Sequence, residues 1–151
     1  GMSALDYIAP CLKSHEFVEL LIIMLGTNDT KDRFASSAAC IAIAMGRLVS
    51  KAKATDCWGG KQPNILVVAP PPIGEGMLLS DVAETMGEGC VKKSRELARY
   101  YKEQCDLLGC HFLDAGSIGC TFNEVDYMHL TRADHAVLAE RLAELVPALI
   151  K

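Results

Sequence analysis

Apolar runs and helical stripes alternate along the chain. Leu5, Ile8 and Leu12 recur at helical spacing over residues 4–14, with Pro10 weakening the pattern. Val18–Gly26 (V-E-L-L-I-I-M-L-G) is then almost wholly aliphatic, which predicts a strand buried on both faces, as in a parallel sheet. Ile41, Met45, Leu48, Val49 and Ala52 next define one face of a helix that Ser36 or Ser37 can cap. A polar loop over residues 56–63, with Gly59-Gly60, closes that unit. Asn64–Ala69 is a second buried strand, stopped by Pro70, Pro71 and Pro72. A long loop carrying Gly74, Gly76, Gly87 and Gly89 follows. Leu97, Tyr101, Cys105 and Leu108 trace another helix, from about residue 90 to a C-cap at Gly109. Cys110–Ala115 predicts a third strand. Thr131 to Asp134 has the form of a capping box, and Leu138, Leu142, Leu145 and Leu149 mark a terminal helix. This alternation predicts an α/β domain: a parallel sheet with helices on both faces.

Length and composition narrow the class. A chain of 151 residues has room for one domain, and half of its residues are hydrophobic, enough for a packed core. The net charge of -4 provides no basic footprint for nucleic acid. The apolar runs Leu20–Leu25 and Ala38–Met45 are far shorter than the roughly 20 residues that span a bilayer. No basic segment followed by a long apolar stretch opens the chain, so no secretory signal is expected; Gly1-Met2 reads as a remnant ahead of a start codon or as native residues. The seven cysteines (11, 40, 57, 90, 105, 110 and 120) are odd in number and have no C-x-x-C spacing. They are expected to be buried free thiols in a reducing cytoplasm.

Candidate chemistry sits where the strands end, because ligands of open α/β sheets bind there. Gly26-Thr27-Asn28-Asp29 directly follows the first strand. Glycine permits a sharp turn, and an asparagine amide then offers a fixed donor to an oxyanion. An Asx turn that merely ends the strand fits the same residues. Asp126-Tyr127-Met128-His129 precedes the last helix. A histidine is the natural base near neutral pH and a neighbouring carboxylate can orient it, although a surface histidine in a polar loop is the plainer alternative. His15, His111 and His135 show no ligand spacing with His129, and no metal or cofactor is expected. Neither a P-loop nor a dinucleotide fingerprint occurs.

Strand–G-T-N-D and D-x-x-H–helix, in that order, are far more specific together than apart. With V-V-A-P-P-P and H-F-L-D-A-G between them, the chain resembles the SGNH hydrolases, also called the GDSL lipase/esterase family, in its arylesterase and acetylesterase-like branch. The resemblance implies a flavodoxin-like three-layer α/β/α fold, of which these segments match the last three of five parallel strands. It implies a carboxylic ester hydrolase acting on small acyl esters through a Ser-His-Asp relay. Asn28 would donate to the oxyanion, His129 would be the base and Asp126 would orient it, while Gly26, Thr27 and Asp29 would shape the substrate-facing loop.

The family's G-D-S serine block and its oxyanion glycine belong to its first two strands, and neither block is in this sequence. None of the eight serines lies in a G-D-S or G-x-S-x-G setting; Ser117, after the third strand, is the nearest substitute, and Cys120 is a conceivable thiolate. The chain is therefore expected to be one N-terminally incomplete domain, inactive by itself. An inactive binding or assembly module and one half of a split esterase are the alternatives. In the family order the first strand lies beside the third, so Leu20–Leu25 should form an open edge, and pairing of that edge in a homodimer is expected.

Overall fold

The computed structural model describes residues 3–150; Gly1, Met2 and Lys151 lie outside it, and so does the reading of Gly1-Met2. Three parallel strands, β1 (Leu21–Ile23), β2 (Ile65–Ala69) and β3 (His111–Asp114), form one sheet in the order β1-β2-β3. The helices are α1 (Ala4–Lys13), α2 (Ala38–Lys53), α3 (Ala83–Met86), α4 (Gly89–Leu108) and α5 (Arg132–Leu149). No described helix is long and apolar enough to cross a membrane.

Period-two alternation along the central strand builds the layers. Ile65, Val67 and Ala69 join Ile23 in a core completed by α2 and α4, including Met45, Leu48, Leu97 and Tyr101. Leu66 and Val68 face the other way, with Leu113, against Leu138, Leu142, Leu145 and Leu149 of α5. Every residue of β2 is buried, as its unbroken aliphatic run requires.

The helix ends follow from local chemistry. Ser37, rather than Ser36, caps α2 by accepting from Cys40 N at 3.2 Å. Gly109 takes the left-handed conformation that closes α4, and Cys110 N then reaches back to Cys105 O at 2.9 Å. Thr131 and Asp134 form the capping box of α5.

Several expectations are corrected. The first strand is three residues long and is not buried on both faces, with Ile22 39% exposed; it does form the sheet edge that the family order implied. Only a strand with neighbours on both sides can be covered all round, and β1 has one. Residues 74–89 are not a plain loop. They form a 3₁₀ turn (Glu75–Leu79) and α3, and Ile73, Met77 and Met86 pack with Cys90 and Val91 into a small core of their own. Loop 56–63 is not uniformly polar, since Cys57 and Trp58 are buried. All seven cysteines are free, yet Cys40 is exposed and Cys11 and Cys110 are only half-buried.

Candidate active site

Parallel strands put their carboxyl ends on one side of the sheet, so the loops after β1 and β3 leave from the same edge, with β2 between them. Two strand spacings amount to about 10 Å.

After β1 the chain turns at Gly26, whose φ of 127° and ψ of −29° few other residues tolerate. The reason for the turn is a post beneath it. Tyr101 of α4 is fully buried and its hydroxyl donates to Leu25 O at 3.1 Å. A Cβ on Gly26 would lie 2.2 Å from that hydroxyl. Burial, and secondarily the carboxylate of Asp29, push the Tyr101 phenol up, which keeps it a hydrogen-bond donor. Thr27–Thr30 then winds one 3₁₀ turn, held by Asp29 N to Gly26 O (3.0 Å) and by the buried Thr30 hydroxyl to Thr27 O (2.7 Å). Lys93 of α4 secures the far end, donating to Thr30 O at 2.9 Å and to Asp32 at 2.6 Å. No Asx turn forms: the Asn28 side chain is exposed and makes no hydrogen bond among the described residues, which leaves its amide available to a ligand.

The D-x-x-H spacing has a local cause. Asp126 Oδ1 accepts from Met128 N (3.0 Å) and His129 N (3.1 Å), so the carboxylate caps the turn that follows it. That turn brings the His129 ring back, and Nδ1 meets Asp126 Oδ2 at 2.6 Å. The same bond sets the tautomer, with the proton on Nδ1 and Nε2 free to accept; Nε2 has no hydrogen-bond partner among the described residues. Asn123 ties the loop together. Its Oδ1 accepts from Val125 N (2.7 Å) and Asp126 N (3.0 Å), and its Nδ2 donates to Asp126 Oδ1 (3.1 Å) and His129 O (3.0 Å).

Burial alone would raise the Asp126 carboxyl, but the His129 N–H, the His129 ring and the Met128 N–H outweigh it and hold the group at about 2. Asp134, which accepts from Thr131 and from Thr121 N (3.0 Å), is likewise held at about 2. Both values lie below the ordinary 3.8, so these carboxylates stabilise the folded loop fully above about pH 4 and lose that contribution as pH falls through about 2. Heteronuclear NMR between those limits is expected to show residues 121–134 loosening before the β2 core. Simultaneous loss of both would contradict this.

The remaining candidates are accounted for by the fold. Ser117 is exposed and donates to Asp114 O at 2.8 Å, which is a turn contact. Cys120 is buried against Asp134 O, and burial pushes its thiol up, the wrong direction for a reactive thiolate. His15, His111 and His135 are exposed. Among the described residues no three His, Cys, Asp or Glu side chains cluster as metal ligands. A cavity of about 270 Å³ opens nearby, lined by Pro72, Arg95, Asp114, Cys120 and Phe122 among others, but neither Asn28 nor His129 lines it. Both stand at an open surface. Sequence reasoning missed Asn123 and Tyr101; N-E-V-D just before the histidine was the available signal for the first, and the second read only as part of a helical stripe.

A parallel sheet covered by helices on both faces, with an asparagine turn and an Asp–His pair at its carboxyl edge, has its candidate side chains where open α/β folds bind ligands. Solved structures share the fold. The aryl esterase of M. smegmatis superposes with a TM-score of 0.85 at 35% identity, covering 96% of this chain and 67% of that one. A carbohydrate acetylesterase from Sinorhizobium meliloti gives 0.84 at 35% identity, covering 95% and 67%. A carbohydrate acetylesterase family member from the same organism gives 0.85 at 28%, covering 97% and 68%. The chain belongs to the SGNH hydrolase family. No protein-family model matches it, and no curated protein does.

Proposed function

We propose that this chain carries the base, the orienting acid and one oxyanion donor of a carboxylic ester hydrolase for small acyl esters, with the nucleophilic serine supplied from outside these 151 residues. The observation behind the reading is the 2.6 Å contact between Asp126 Oδ2 and His129 Nδ1, which leaves Nε2 of an exposed imidazole ready to take a proton. In the reaction, the serine hydroxyl gives its proton to Nε2 as its oxygen bonds the ester carbonyl carbon. The Asn28 amide donates to the resulting oxyanion. The tetrahedral adduct collapses, the C–O bond to the alcohol breaks, and His129 returns the proton to the leaving oxygen. Water repeats the sequence on the acyl-serine and regenerates both groups.

The test is turnover of an activated acetyl ester. The chain alone is expected to hydrolyse it no faster than its His129→Ala variant and to resist fluorophosphonate labelling. An acyl burst, or a label on Ser117, would overturn the reading.

We also propose that the chain alone closes its open edge by pairing with a second copy. Ile22 of β1 is 39% exposed and Leu25, two residues beyond the strand, 45%, and β1 carries no proline or charge to blunt the edge. A two-fold axis normal to the sheet would pair β1 with its mate antiparallel. Light scattering should give about twice the 16.3 kDa chain mass; a folded 16.3 kDa species at micromolar concentration would refute it. A serine-bearing strand that took its family place beside β1 would compete for this edge.

A further inference from the structure

β3 leads into the Asp126–His129 loop. The loop rests on the segment after β2. Gly74 N donates to Tyr127 O at 2.9 Å. Tyr127 has a positive φ of 58°, and its ring packs into the small core of Ile73, Met77, Met86 and Val91. The flank of that ring lies on Gly76, where an added Cβ would sit 2.3 Å from Cε1 and 2.7 Å from Cδ1. Phe122 repeats the arrangement on Gly74, where a Cβ would lie 2.3 Å from its Cζ, and the two rings stand 6.0 Å apart. Tyr127 cannot easily retreat, because its N donates to Asn123 O at 3.2 Å and its neighbours Asp126 and Met128 are fixed by the carboxylate turn.

We propose that Gly76 and Tyr127 are positioning residues for His129: the bare face of Gly76 is the seat that sets the height of the Tyr127 ring, and through it the meeting of Asp126 with the imidazole. Neither residue touches the reacting atoms. The inference rests on His129 being the base only for its catalytic consequence; the geometric claim is separate. Alanine at residue 76 forces the ring outward, and because Tyr127 joins Asp126 to Met128, the displacement passes directly into the turn that holds His129.

The readout is the low-field proton NMR resonance of the His129 Nδ1–H shared with Asp126. Its absence in His129→Gln assigns it. Gly76→Ala is expected to lose this resonance while retaining a cooperative thermal transition. Tyr127→Phe, which keeps the ring, should retain it. Tyr127→Asn, which tolerates a positive φ but has no ring, should lose it. Retention in Tyr127→Asn overturns the proposal even if Gly76→Ala fails to fold, and so does retention in a folded Gly76→Ala. Loss of the resonance in Gly76→Ala with undiminished turnover in a complete hydrolase would support the positioning role and remove His129 as the base.

Discussion

Gly26→Ala is expected to lower the stability of this chain by about 3 kcal/mol, the combined effect of a side chain in a disfavoured backbone region and of overpacking. Both effects arise at one point. The φ of 127° is outside the range that L side chains favour, and the new Cβ would meet the buried Tyr101 hydroxyl at 2.2 Å. The hydroxyl cannot step aside without losing its bond to Leu25 O, and its ring is enclosed in the α2–α4 core. Tyr101→Phe alone should cost about 1 kcal/mol, the net worth of one hydrogen bond. The double variant should then be more stable than the sum of the two losses predicts, because the phenylalanine removes the atom that the alanine strikes. Chemical denaturation of the four proteins measures this. Additive losses, or a Gly26→Ala loss below about 1 kcal/mol, would show that the post beneath the turn does not exist.

A hydrolase completed by a serine should depend steeply on His129. The proposed relay can be tested with a chimera in which the serine-bearing block that the family resemblance implies is joined ahead of residue 3, so that its strand can pair with the open edge of β1. The chimera is expected to hydrolyse an activated acetyl ester, and His129→Ala to reduce kcat by a factor on the order of a thousand or more, as removal of a general base does. Asn28→Ala should cost about a hundred- to a thousand-fold, the usual effect of removing one oxyanion donor. A folded chimera in which His129→Ala is neutral would exclude the relay, whereas an effect of Asn28→Ala on KM alone would reassign that residue to substrate binding.

Element types and the two polar motifs were legible in the residues. Aliphatic runs bounded by glycine and proline placed β1, β2 and β3; the stripe through Leu97, Tyr101 and Cys105 placed α4; and Thr131 with Asp134 placed the start of α5, because capping and periodicity act over a few residues. The Asp126–His129 contact was legible for the same reason: a carboxylate that accepts from the second and third N–H beyond it fixes the third side chain locally. Residues 74–89 were not legible. Their glycines marked a close approach without saying to what, and the partners, Phe122 and Tyr127, lie far along the chain.

The sequence by itself thus determined what short-range forces can settle: the three strands, four of the five helices, helix caps, and an Asp–His pair separated by one turn. The tertiary structure decided what covers each element. The aliphatic composition of β1 matches that of the buried β2 and by itself predicted burial on both faces. Only the family order pointed to the half-exposed edge, because burial depends on how many neighbours a strand has rather than on which residues it contains. The tertiary structure also set Tyr101 of α4 beneath Gly26 and the ring of Tyr127 against Gly76. Contacts of this kind join positions tens of residues apart, and only the packed chain, where volume must be filled and hydroxyls must find acceptors, brings them together.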